Sequence, residues 1–142
     1  MANALYQKGK GHLLQGDIDW VANNIKCKLL KAAYVADTSK TGHEFANDAA
    51  FTGNIISTSG NLASKTQADA DNGVAEAADV TFTAVGGGVD VGEFIIYVDG
   101  TAGVSDYLIA HFDTATGMPV TPNGGDITIQ WSDTTDLKIF AL

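Results

Sequence analysis

"EFIIYVDGTAGVSDYLIAHFD", residues 93–113, decides the fold class. Two runs rich in Val, Ile, Leu and aromatic residues, 93–99 and 106–113, flank a connection that contains Gly100, Gly103 and Ser105. Branched and aromatic side chains suit a pleated strand, and Gly, Ser and Asp punctuate its ends. Each run therefore predicts a short strand.

The same pattern recurs on both sides. Strands are expected at 53–58 ("GNIIST"), 79–85 ("DVTFTAV"), 126–132 ("DITIQWS") and 137–142 ("LKIFAL"). Another begins at "IKCKLLK", where Ile25, Cys27 and Leu29 alternate with Lys26 and Lys28. The alternation slips at Leu30 and Lys31, the signature of a bulge or of a change in which face is covered. Residues 3–15 predict a short helix with Leu5, Tyr6, Leu13 and Leu14 on its apolar side. Gly9 and Gly11 each cost it about 1 kcal/mol relative to alanine, so it needs docking to persist. The expected architecture is all-β, an antiparallel sandwich or barrel of roughly six to eight strands plus that N-terminal helix.

At 142 residues the chain is a single β-rich domain, 1–142, able to bury a core without disulfide or metal. Cys27 is the one cysteine and reads as a buried, inert thiol. The N-terminal stretch lacks the apolar run of a signal peptide, and no segment approaches the roughly 18 apolar residues of a membrane span. The chain is expected to be made in a cytoplasm, with no membrane partner.

Formal charge is -9, and all eight basic residues are lysines. Without the planar fork of arginine, and with an acidic balance, nucleic acid is not an expected partner. The charge is uneven: residues 1–40 hold six lysines and three aspartates, and the remainder holds two lysines and fourteen acids. A basic front and an acidic body suggest that residues 1–20 act as an assembly arm docking on a neighbouring copy. Leu5, Leu13, Leu14, Ile18 and Trp20 are its candidate contact residues, and loss of 1–20 is expected to leave a β-type domain that no longer assembles.

No catalytic, cofactor or metal constellation emerges. In "ADADNGVAEAAD", 68–79, Ala68 and Ala70 occupy the places a calcium loop gives to oxygen ligands. "GGGVDVG", 86–92, lacks the Lys-Ser/Thr of a phosphate loop and reads as a flexible hairpin connection. Asn47 interrupts the zinc motif that His43 and Glu44 would begin, and His111 reads as a strand residue facing solvent or a neighbour. Ser105 lacks the second glycine of a nucleophile elbow. The excursions 36–52, anchored by Phe45 and Phe51, and 64–78 are long and polar, which marks them as places to meet a partner. In "DTATGMPVTPNGGDITIQW", 113–131, Pro119 and Pro122 fix the backbone and "NGG" turns the chain; its length adds contact surface, so both prolines join the candidate contact residues.

Taken end to end, the chain resembles the capsid decoration, or cement, proteins of tailed bacteriophages. The likeness lies in "ALYQKG", "GDIDW", "HEF", "DVTFTAV", "FIIYVDG", "LIAHFDTATGMPVTPNGGDITIQW" and "KIFAL". "GGGVDVG" and "KCKLLK" depart from it. The resemblance implies a β-rich protein on the outer surface of the virion, commonly a homotrimer, that clamps major capsid protein subunits without catalysis or cofactor. A tail or baseplate component and a carbohydrate-binding β-sandwich are the alternatives. The last would be favoured if Trp20 or Trp131 lined one open face.

Overall fold

The computed structural model describes residues 3–69, 73–100, 106–132 and 139–142. In chain order the elements are β1 (Ala4–Leu5), α1 (Gln7–Gln15), β2 (Ile25–Lys31), a 3-10 turn (Ala49–Phe51), β3 (Ile55–Thr58), β4 (Thr66–Asp69), β5 (Val74–Glu76), β6 (Val80–Phe82), β7 (Val91–Val98), β8 (Leu108–Phe112), β9 (Ile127–Ile129) and β10 (Phe140–Ala141). The described residues thus form an all-β fold with one short N-terminal helix.

The apolar run of β7 has a simple cause. Phe94, Ile96 and Val98 enter one core, while Ile95 and Tyr97 enter a second on the opposite face. A strand covered on both faces loses polar alternation and reads as a continuous hydrophobic run. Around it stands a five-stranded antiparallel sheet in the order β1-β8-β7-β2-β3. Two small antiparallel sheets, β10-β5-β4 and β6-β9, contribute Ala75, Val80 and Phe82 to the first core.

The slip at Leu30 is a β-bulge. Register shifts between Leu29 and Leu30 against β3, and between Leu30 and Lys31 against β7. The unmatched residues lie on the partner strands, Ile56 of β3 and Gly92 of β7, and Leu30 enters the second core, opposite Leu29, by ordinary strand alternation.

The N-terminal helix is shorter than the sequence pattern predicts. Ala4 and Leu5 are instead an edge strand, paired with His111 and Ala110 of β8. The chain then turns at the wholly buried Tyr6, and α1 lies on β8 with Gly9 directly against the carbonyl of Leu108. The glycine that weakens the helix is what allows this approach. α1 ends at Gly16 in the left-handed conformation (φ 82°), the usual helix stop.

Ten strands are described, against the six to eight expected. Seven lie in the predicted runs; residues 137–138 of the last run lie outside the described residues. The additional strands are β1 and the β4–β5 pair, the latter inside the stretch 64–78. Ala, Gln and Asp give that stretch little strand propensity, yet Val74 and Ala75 are buried.

The excursion 36–52 packs on the domain itself. Tyr34, Ala36, Ala46 and Phe51 are buried against Leu30, Ile95 and Tyr97, so the segment is the cover of the second core. Its backbone is tied down by Ala46 N–H to Asp106 O (2.8 Å) and Leu108 N–H to Glu44 O (2.9 Å).

Two connections cross between sheets. The 83–90 segment carries the chain from β6 to β7, and 113–126 carries it from β8 to β9. Neither is a hairpin. The glycine-rich one is packed, too: a side chain at Gly87 would meet Pro122 O at 2.9 Å, and one at Gly92 would meet Ala32 at 2.5 Å. The crossings are stitched together, Val91 and Val120 exchanging two backbone hydrogen bonds of 2.9 Å and Val85 bonding to Gly124 and Gly125 at 2.9 Å each.

Candidate functional site

The candidate contact residues separate into core and surface. Ile18 and Trp20 are buried in the first core, and Leu5 and Leu13 are half-buried against it. Trp20 is fixed by Phe140, whose ring meets it edge-on at 5.3 Å, and by its indole N–H, shared between Thr66 O and Glu76 O at 3.1 Å each. It is a core residue of the domain. Leu14 is the reverse: 88% exposed, it lies on the solvent side of α1 rather than on the apolar stripe. Pro119 is exposed and follows a cis peptide bond, whereas Pro122 is buried. The segment read as an arm is therefore built into the domain, with Leu14 as its most exposed apolar side chain.

Leu13 lines a cleft of about 330 Å³ together with Ile18, Trp20, Phe140 and Leu142. Leu142 is 67% exposed. The helix end and the C-terminal strand, far apart in sequence, thus present apolar surface to solvent at one place.

A second cleft, of about 660 Å³, lies beside the 113–126 crossing. Its floor is the incompletely covered edge of the first core: Phe94, Phe112, Met118, Val120, Ile127, Ile129 and Trp131. Phe94 and Phe112 stack with centroids 4.7 Å apart, and Trp131 stands 6.1 Å from Phe94 and 6.3 Å from Phe112. Asn3 braces the start of the crossing, its Oδ1 accepting from the N–H of Asp113 (3.1 Å) and of Thr114 (3.0 Å). The rim carries Thr114, Thr116, Thr128, Gln130 and Ser132. The loop is both a crossing and the wall of a cleft.

The charged groups are largely occupied within the chain. Lys8 pairs with Glu44 at 3.0 Å and Lys26 with Asp99 at 2.7 Å. Lys28 lies 4.4 Å over the Tyr97 ring and donates to Ala46 O at 3.1 Å. Half of the basic front is thereby engaged by the chain's own body. His12, stacked on Tyr107 at 3.6 Å, places one ring nitrogen 2.9 Å from Asp17 and the other 3.0 Å from Glu44. The bond from Lys8, then that from His12, holds the Glu44 carboxyl below its ordinary range.

His111 is a strand residue, as expected, but at 1% exposed it does not face solvent, one of the two positions expected for it. Its Nε2 lies 2.5 Å from the Glu93 carboxylate on the neighbouring strand. Burial raises the Glu93 carboxyl, with the His111 hydrogen bond opposing. Nearby, the Tyr34 hydroxyl meets both Tyr6 Oη (3.1 Å) and His43 Nδ1 (2.9 Å), and burial pushes its pKa up to about 12. This polar layer lies at the second core, under the 36–52 cover, where it joins strand to cover.

Cys27 is wholly buried, its thiol pushed well above the ordinary range by burial. Ser105, Ala70 and Asp71 lie outside the described residues. Among the described residues no cluster of three His, Cys, Asp or Glu side chains is placed to hold a metal ion, and no helix is long and apolar enough to cross a membrane. No family model, curated protein or solved structure matches the chain.

Proposed function

We propose that this chain is a non-enzymatic virion structural protein, a capsid decoration or cement protein that associates with itself as a homotrimer and binds major capsid protein on the outer surface of a phage head. The observation that carries the reading is the apolar cleft that Leu13 lines with Ile18, Trp20, Phe140 and the 67% exposed Leu142; Leu14, next to Leu13 in sequence, is 88% exposed. A contiguous open apolar cleft suits an interaction site, and a symmetric oligomer or a capsid subunit is its natural cover. The β-rich architecture and the whole-sequence resemblance support the same assignment.

The test is a comparison of heads assembled with and without the chain, imaged by electron microscopy and challenged with heat. Heads that lack it should show no density at the decoration positions and release DNA at lower temperature. Adding back the purified protein should restore both. Antibody labelling confined to tails would move the chain to the tail or baseplate and overturn the capsid assignment.

A further inference from the structure

We propose that the cleft beside the 113–126 crossing is a binding site for a neutral carbohydrate. This goes beyond the capsid reading and does not rest on it, because this cleft and the apolar one at the helix end share no lining residue.

The lining decides the ligand class. Among the described residues, not one that lines this cleft is charged. A phosphate, nucleotide or acidic peptide would lose its hydration there without gaining a counter-charge. What the cleft offers is aromatic surface beside neutral hydrogen-bonding groups. Phe112 and Trp131 are half-buried, each keeping some surface accessible at the cleft. The electron-rich face of an aromatic ring attracts weakly positive C–H groups, which a pyranose presents on one side.

Trp131 is held in advance of binding. Its indole N–H donates to Ala78 O at 3.0 Å, and its backbone N–H to Asp79 Oδ1 at 3.0 Å. A ring already fixed loses little freedom when a ligand arrives. At the rim, the Thr116 hydroxyl and the Gln130 amide make no side-chain hydrogen bond among the described residues, and both residues are exposed. A hydroxyl and an amide together supply donors and acceptors suited to sugar hydroxyls. A purely hydrocarbon ligand would use neither. Trp20, the other tryptophan, is buried in the core and contributes no platform.

The test uses the full chain on an array of neutral and acidic glycans that includes oligosaccharides from bacterial surface polysaccharides. The best-retained neutral oligosaccharide is then titrated by tryptophan fluorescence and by amide chemical shifts. Retention of neutral glycans is expected, with shifts centred on residues 114–118 and 127–132. Trp131→Ala should weaken binding at least about tenfold. Thr116→Val and Gln130→Ala should each weaken it about threefold with unchanged melting temperature, which separates a lost contact from a lost fold. The proposal is overturned if no neutral glycan is retained, if only acidic glycans are, or if all three variants bind like the parent chain.

Discussion

Gly9 of α1 lies against the carbonyl oxygen of Leu108 in β8, so closely that a methyl group at Gly9 would overlap it. Two residues along the same helix, Gly11 faces open space. The pair separates helix propensity from packing. Gly11→Ala should stabilise the protein by about 0.5–1 kcal/mol. Gly9→Ala should destabilise it by about 1–3 kcal/mol, because backbone must move to admit the methyl. Urea unfolding of the two variants reads both signs, and stabilisation by Gly9→Ala would contradict the docking of α1.

Trp20 and Leu14 test which part of the N-terminal segment is core and which is contact surface. Trp20→Ala should cost about 3–5 kcal/mol through the cavity it leaves and its lost indole hydrogen bonds. Leu14→Ser should change stability by less than about 0.5 kcal/mol, while lowering the oligomer mass measured by light scattering. Removal of residues 1–20 takes away an edge strand and the buried Tyr6, Ile18 and Trp20, so the truncated chain should unfold. A native-like circular dichroism spectrum from that chain would show the segment to be the separable arm first expected.

Glu93 and Glu44 impose opposite pH dependences. The raised Glu93 carboxyl binds its proton more tightly in the folded state than in the unfolded chain. Its contribution is therefore fully present below the unfolded value of about 4.3 and is lost as pH rises through the folded one. For the depressed Glu44, the contribution is present above about 4.3 and is lost as pH falls through the folded value. Relative to the parent chain, Glu93→Gln should gain melting temperature as pH rises from acid to neutral, and Glu44→Gln should lose it. Parallel curves for the two variants would refute the assignment.

Cys27 provides a probe of global opening. Wholly buried between β3 and β7, its thiol should not react with a disulfide reagent until the central sheet separates. Labelling should track global unfolding measured by circular dichroism as urea is raised. Rapid labelling of the native protein would contradict this.

Much of the sheet was legible because its signals are local. The runs at 93–99 and 106–113 became the central pair β7–β8, and the slip at Leu30 became a bulge. The β4–β5 pair was not legible, because the residues of 64–78 have low strand propensity and read as a polar excursion. The choice between solvent and a neighbour for His111 was not legible, because Glu93, the partner that makes its burial tolerable, comes near it only through strand pairing. Trp20 and Ile18 were apolar residues next to a turn, and nothing local distinguishes a core anchor from a contact residue. The cover role of 36–52 was hidden for the same reason: polar composition marks a connection, but Phe51 and Tyr34 decide what lies beneath it.

The two stitched crossings also prescribe an order of events during folding. Residues 80–82 of β6 can meet 127–129 of β9 only across the whole length of the β7–β8 hairpin. Closing that loop in a disordered chain costs entropy that three paired residues recover poorly. Once β7 and β8 have zipped, Val91 and Val120 draw the two flanks together and the remaining loop becomes short. The outer pair, and with it the aromatic cleft, should then form after the β7–β8 hairpin and open before it, and amide exchange should be faster in β9 than in β7.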